Sequence, residues 1–502
     1  MSDHPATASD PTALSALALS RAIHDRRISC AEVMAAYLDR IEAVNPRVNA
    51  LVSLRPREAL LQEARRADDE LAAGTSRGWL HGIPQAPKDL TATRDVVTTM
   101  GFVGLRHNLP GDDSVLVART RAAGAIIIGK TNTPEFGLGS HTYNPLFGTT
   151  LNAYDPRVSA GGSSGGAAVA LATQMLPVAD GSDMMGSLRN PAGWNNVYGF
   201  RPSMGRVPFG PVPEVFFQQL GHEGPMARNV ADLAMLLATQ AGHDPRMPLS
   251  LPGDGAEFAA PLTGAARGKR IGWLGDLGGY LPMQPGVLDS CRAGLKLIES
   301  LGATVEDVRP DFDMARLWTA WITLRSFLVS GAMAALYDNP KSRALLKPEA
   351  IWEIEQGRAL SGAQVFAASA VRSAWYQEML RLFDRYDYLL LPTAQVFAFD
   401  ASQHWPQDIA GQPMDSYHRW MEVVIPGSMA GVPVLAVPAG FGPQGTPMGL
   451  QVMAPPRADR TVLEFGHAYD LAQEFTARKS PLIQPAAALP GDHQTQPRRF
   501  SP

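Results

Sequence analysis

Three segments of this 502-residue chain combine glycine with hydroxyl or lysine side chains at spacings that can do chemistry. The first, Gly124-Ala-Ile-Ile-Ile-Gly-Lys-Thr131, fits the phosphate-loop pattern G-x-x-x-x-G-K-[ST]. Such a loop needs a flexible turn whose N–H groups wrap an anion. Three isoleucines are stiff and favour a strand instead. A helical pattern precedes the segment, and Pro134 stands three residues after Thr131. Nucleotide binding is therefore not expected. The second, Gly162-Ser-Ser-Gly-Gly166, fits the G-x-S-x-G nucleophile elbow, with Ser164 as nucleophile beside a histidine and an acid. An elbow follows directly on a hydrophobic strand. Here Asp155-Pro-Arg-Val-Ser-Ala-Gly161 precedes it and reads as a loop.

The third segment overlaps the second and runs further. Gly161-Gly-Ser-Ser-Gly-Gly166 leads into an alanine-rich helix over 167–173 and then Leu176-Pro-Val-Ala179. Asp180-Gly-Ser-Asp-Met-Met-Gly-Ser-Leu-Arg-Asn-Pro-Ala192 follows, and the stretch ends at Tyr198-Gly-Phe-Arg-Pro202. Upstream lies His81-Gly-Ile-Pro-Gln-Ala-Pro-Lys88, with Asp89 next. Taken singly, a Ser/Gly-rich stretch is a loop and a lone lysine a solvated charge. The chemistry that a serine and a lysine could do together is base-assisted attack. A serine hydroxyl becomes a nucleophile when a base accepts its proton. A lysine serves as that base once burial keeps it neutral.

The elements that must position these residues follow an α/β pattern. Ser29-Cys-Ala-Glu32 is a capping box, and Val33, Tyr37, Leu38, Ile41 and Val44 recur at helical spacing after it. Helices also fit 53–73 and 115–123, with Gly124 as a stop before a buried strand over 125–128. Later, 271–274 reads as a strand, 287–301 as a helix and 303–308 as a strand. Strands at 388–391, 434–437 and 449–453 precede a helix around 461–475. Alternation of this kind predicts an α/β fold, an α/β/α sandwich around a large mixed sheet. Residues 311–385 carry Trp318, Trp321, Phe327, Trp352, Trp375 and Tyr376 with little strand signal. They read as a helical insert that packs on the core and in part walls a pocket.

Composition narrows the function classes. Lys+Arg is 44 against Asp+Glu 48, a net charge of −4, so no broad basic face for nucleic acid is expected. Two cysteines, Cys30 and Cys291, exclude a disulfide framework and a zinc site built on cysteine pairs. No apolar run reaches membrane-spanning length. The short apolar stretch 13–20 has Asp3 and Asp10 before it and no Lys or Arg, which is the wrong flank for a secretory signal. It reads as the start of a core helix, and a cytoplasmic location is expected. Residues 1–12 and 485–502 look loose, leaving 13–484 as one catalytic domain.

The third segment and its lysine resemble the amidase signature family. The resemblance runs from about residue 14 to about 476. It includes the Pro392-Thr393 turn after a strand, the Ala430-Gly-Val-Pro433 segment and the Gly449-Leu-Gln451 strand. It implies that Ser187 is the nucleophile, Ser163 a serine held after a cis peptide bond, and Lys88 the general base. Backbone N–H groups of Met184, Met185, Gly186 and Ser187, ahead of a helix near Leu188, would receive the oxyanion. Asp183, Ser164 and Arg189 would support that loop without doing chemistry. No metal or cofactor is implied.

The resemblance further implies hydrolysis of a non-peptide C–N bond, an amide or anilide, through an acyl-enzyme. A carbamate or ester passes through similar tetrahedral species, so those substrates remain alternatives. An amidotransferase component that works with protein partners is a third reading. A pseudoenzyme would have little reason to keep all three residues. The expected partner is a small-molecule substrate, the expected assembly a monomer or homodimer. The sequence departs from the family pattern at Met185, where glycine is usual, and at Gly193-Trp-Asn-Asn-Val197. Methionine suits irregular apolar surfaces, which points to a hydrophobic or aromatic substrate.

Overall fold

Eight strands make one mixed sheet: β1 (Val178–Asp183), β2 (Tyr198–Arg201), β3 (His222–Ala227), β4 (Arg270–Trp273), β5 (Thr304–Asp307), β6 (Tyr388–Pro392), β7 (Val434–Phe441) and β8 (Pro447–Met453). Their spatial order is β5-β4-β6-β8-β7-β2-β3-β1. β4 runs parallel to β5 and β6, and every other neighbouring pair is antiparallel. The computed structural model describes residues 10–217 and 219–484. Residues 1–9 and 485–502, expected to be loose, lie outside the described residues. Residues 10–12 depart from that expectation, since Asp10 caps a tight turn over Pro11–Ala13 and Thr12 is buried.

Side-chain alternation places helices on both faces of the sheet. Leu450 on β8 points at Gly294 of the helix Val287–Ser300, while its neighbour Gln451 reaches Arg189 on the opposite face. The α/β/α layering expected from the sequence is what the chain forms. The anticipated strands appear with small boundary shifts, and β7 extends to Phe441. β1, β2 and β3 carry no strong strand signal in the sequence, yet they form the side of the sheet that holds the site.

Local rules explain most helices. The Ser29 capping box forms as expected at the start of Cys30–Val48. The apolar stretch near the N-terminus becomes the helix Ala16–His24, capped by Ser15. The isoleucine run becomes a short strand, Ile126–Ile127, paired with Pro84–Gln85 outside the main sheet. Gly165–Ala172 is α1, a helix of small residues buried throughout. The 311–385 region is helical, built chiefly of α2 (Met314–Ala332), α3 (Pro348–Arg358) and α4 (Gly362–Phe383). Its Trp321 and Trp375 are fully buried, so much of its aromatic content is core. No helix of the described residues is long and apolar enough to cross a membrane.

Candidate active site

Lys88 leaves the Pro84–Gln85 strand region on a segment that hydrogen-bonds back to Thr131. Its side chain is fully buried. Its Nζ lies 2.7 Å from Ser163 Oγ, 2.9 Å from Ser164 Oγ and 3.1 Å from Ser182 Oγ, with the Ser182 carbonyl at 3.4 Å. Four oxygens thus surround one nitrogen, and three of them are hydroxyls. A protonated lysine donates to such a shell. A neutral one can accept a proton from it. Burial pushes the Lys88 ammonium down to about 7, against the pull of Asp183, Asp180 and Glu223.

Ser163 and Ser164 enter from the loop before α1. The Gly162–Ser163 peptide bond is cis. Ser164 stands at the N-terminal cap position of α1 and bonds Lys88 and Ser182. Among the described residues its hydrogen bonds include no histidine, which speaks against the elbow arrangement. Close packing explains Gly181 between them: a Cβ there would lie 2.6 Å from Ser164 Oγ and 2.8 Å from Leu188 Cδ2.

Ser187 lies in the turn after β1, nearly buried. The hydrogen bonds around Lys88 reach Ser163, Ser164 and Ser182, and none of them reaches Ser187. The two loops nevertheless abut. The Gly162 N–H donates to Asn190 Oδ1 at 3.2 Å, three residues beyond Ser187. The helix after this turn starts at Asn190 rather than near Leu188 and is one short turn, Asn190–Trp194.

Asp183 organises the turn. Its carboxylate accepts from the Gly186 N–H at 2.8 Å and the Leu188 N–H at 3.0 Å. Arg189 grips it through Nε and Nη2, both at 3.0 Å, and Arg201 approaches at 3.5 Å. Burial alone would raise its pKa, but Arg189, Arg201 and the Leu188 N–H outweigh that and hold it well below the usual carboxylate range. Arg189 continues to the Val424 carbonyl, Gln451 and Ser428. Both residues thus brace the loop. One expectation changes, because the Gly186 N–H is already committed to Asp183. That leaves Met184, Met185 and Ser187 as candidate oxyanion donors. The Met185 side chain packs in the main core.

Several residues around the site escaped sequence reasoning. The Lys88 backbone N–H donates to Asp180 Oδ2 at 3.1 Å. Asp180 and Ser182 share one face of β1, a period-two signal that strand alternation offers. Glu223 pairs with Ser182 across β1 and β3, and burial pushes its carboxyl up to about 8. Lys130, the lysine of the phosphate-loop pattern, is buried and donates to the Thr91 carbonyl and Thr93 Oγ1, both at 2.6 Å. From the insert, Lys347 donates to the Leu138 carbonyl at 2.6 Å and Arg325 reaches Met184 Sδ at 3.5 Å.

A buried lysine in hydrogen-bonding contact with a serine is a serine-hydrolase type of arrangement. Comparison with known proteins gives the class a name. The family described as Amidase matches residues 32–463. A glutamyl-tRNA(Gln) amidotransferase component of Chloroflexus aurantiacus is 35% identical over 481 residues, covering 91% of this chain and 96% of that protein. An acylamidase of Rhodococcus erythropolis is 33% identical over 470 residues, covering 93% and 97%. Among solved structures, a bacterial aryl acylamidase of the amidase signature family superposes with a TM-score of 0.86 at 29% identity, covering 92% and 97%. The 6-aminohexanoate cyclic dimer hydrolase superposes at 0.84 with 25% identity, covering 95% and 100%. The chain belongs to the amidase signature family.

Proposed function

We propose that this protein hydrolyses the C–N bond of an amide or anilide on a hydrophobic or aromatic small molecule. Ser187 Oγ attacks the carbonyl carbon and its proton passes to Ser163 Oγ, whose own proton passes to the Lys88 amine. The oxyanion is received by the N–H groups of Met184, Met185 and Ser187. As the C–N bond breaks, the amine leaving group takes a proton back through Ser163. Water then adds to the acyl-enzyme, its proton passing by the same path to Lys88, and that proton returns through Ser163 to Ser187 Oγ as the acyl–oxygen bond breaks and the acid is freed. The observation that carries this reading is the fully buried Lys88 Nζ at 2.7 Å from Ser163 Oγ. Water exclusion lowers the lysine's pKa so that much of the amine is neutral, and the short contact gives the proton a path. The aryl acylamidase and acylamidase relatives support amides and anilides as the first substrates to test.

The test is labelling with a fluorophosphonate, peptide mapping, and turnover of acyl anilides. Label on Ser187 that is lost in Lys88→Ala, together with anilide cleavage by the unmodified protein, is the expected outcome. Label on Ser164 overturns the relay. Anilide cleavage only in the presence of another protein moves the reading to an amidotransferase component, the role named for several relatives.

A further inference from the structure

A second buried charge meets the turn that carries Ser187. Arg325 projects from the middle of α2 and is almost fully buried. Its Nε donates to Glu353 Oε1 at 2.5 Å and its Nη2 to the Tyr417 hydroxyl at 2.9 Å. Tyr417 in turn donates to Glu353 Oε1 at 2.7 Å, and Ser326 donates to Oε2 at 3.2 Å. Glu353 thus balances the guanidinium charge inside the insert.

Arg325 Nη1 differs from the other two nitrogens. Among the described residues its contact is the thioether of Met184, 3.5 Å away. A thioether sulfur is a weak acceptor, and Nη1 carries two N–H groups. Such a donor edge, buried and weakly satisfied, retains most of its hydrogen-bonding capacity. Met184 is only half-buried and begins the turn that ends at Ser187. The flexible methionine can swing aside without disturbing the Arg325–Glu353–Tyr417 unit. Tyr417 also ties this unit to the site's other wall, since its ring lies against Gly139, two residues from Gly137, which abuts Ser163 Oγ.

We propose that Arg325 is a substrate-binding residue whose Nη1 edge receives an oxygen acceptor on the substrate, displacing the Met184 thioether. The inference rests on the hydrolase reading above and narrows its substrate class. Because Glu353 already neutralises the guanidinium, the site favours an uncharged oxygen over a carboxylate. The substrate therefore carries, near its scissile bond, an ether, ester or second amide oxygen. A purely hydrocarbon substrate leaves the donor without its partner.

Matched substrates test this. One pair is the pentanoyl and 3-methoxypropanoyl p-nitroanilides, which put the oxygen on the acyl side. The other is the N-butyl and N-(2-methoxyethyl) amides of benzoic acid, which put it on the amine side. In at least one pair, kcat/KM of the unmodified protein favours the oxygen-bearing member. Arg325→Met reduces that ratio by about ten- to a hundredfold, the scale of a hydrogen bond to a charged donor. The inductive effect of the oxygen is common to all variants and cancels in the comparison. Arg325→Lys keeps the charge beside Glu353 but loses the planar fork, so it serves where the methionine variant fails to fold. Equal ratios in the unmodified protein and the variant, in both pairs, overturn the inference. Failure of the unmodified protein to cleave any of the four overturns the hydrolase reading, and this one with it.

Discussion

Lys88 Nζ lies 2.7 Å from Ser163 Oγ, and both residues are shut away from solvent. The lysine comes from a loop beside a two-stranded sheet, the serine from the loop before α1, 75 residues later. What makes the contact chemical rather than electrostatic is the protonation state. Burial holds the ammonium down to about 7, so a large fraction of the amine is neutral at neutral pH. In the proposed relay the neutral form is the base. The rate on an acyl anilide is therefore expected to be low below pH 6, to rise through about 7 and to level off above. Lys88→Ala removes the rising limb and lowers kcat/KM by about a hundred- to ten-thousandfold. Lys88→Arg gives a similar loss, since arginine stays charged. A pH–rate profile of Lys88→Ala that still rises through 7 counts against the assignment.

The two neighbouring serines separate by role. Both accept from Lys88, but Ser163 makes the shorter contact and stands in the proposed relay. Ser163→Ala is expected to lower kcat/KM by at least about a hundredfold. Ser164→Ala leaves the relay in place and removes one of four oxygens around the amine, so its loss is about tenfold or less. Ser187→Ala abolishes turnover and fluorophosphonate labelling. The reverse ranking of Ser163 and Ser164 in single-turnover kinetics restores the elbow as the working explanation.

How much of this was legible in the sequence depends on the element. The Ser163 and Ser187 segments stand out because glycines and hydroxyls cluster there, whereas the Lys88 segment holds one glycine and no hydroxyl and is singled out only by the family resemblance. The isoleucines of 126–128 rule against a phosphate loop for the same reason that Ile126 and Ile127 form a strand. β3 is different. His222-Glu-Gly-Pro-Met-Ala227 contains glycine and proline, which weaken a strand signal, yet it lies between β1 and β2 and is buried throughout. Pairing on both sides overrides its local propensity. The Arg325–Glu353–Tyr417 unit is unreadable for another reason: its members lie 28 and 92 residues from Arg325 on separate elements. Each reads alone as an ordinary surface residue.

Asp183 is a structural prediction. It carries two backbone N–H groups and a bidentate arginine in a fully buried position. Asp183→Asn leaves Arg189 and Arg201 without their counter-charge, which is expected to cost about 3–5 kcal/mol in urea denaturation. The carboxyl is held below its ordinary value in the folded state. Its contribution is thus complete above the unfolded pKa of about 4 and is lost as pH falls below that. The stability gap between the unmodified protein and Asp183→Asn should shrink on acidification below about pH 4. A constant gap across that range removes the electrostatic explanation.

Lys130 tests the phosphate-loop pattern. Its Nζ is held by the Thr91 carbonyl and Thr93 Oγ1 inside the fold, facing Asp89, Asp180 and Glu223. It is unavailable to a phosphate. Millimolar ATP with magnesium is expected to leave the melting temperature unchanged. Lys130→Met leaves the buried Asp89 without its lysine counter-charge and lowers stability by about 3–5 kcal/mol. ATP-dependent stabilisation that disappears in Lys130→Met reverses this view.

Met185 carries the last prediction, because packing and specificity pull its variants apart. Its side chain is buried in the main core, beside a turn where Gly186 adopts a positive φ against Met421 and Val424. Packing alone predicts that Met185→Ala costs about 2–5 kcal/mol. Removal of the side chain also opens space next to the proposed oxyanion donors. If that space belongs to the acyl pocket, Met185→Ala raises kcat/KM for bulky acyl anilides relative to the acetyl anilide by about tenfold, the scale set by the one or two methylenes a pocket discriminates. Measuring both quantities on one variant decides the matter. Lost stability with unchanged acyl preference makes Met185 a packing residue. Lost stability with a shifted preference makes it a wall of the acyl pocket, and explains why a side chain stands where glycine is usual.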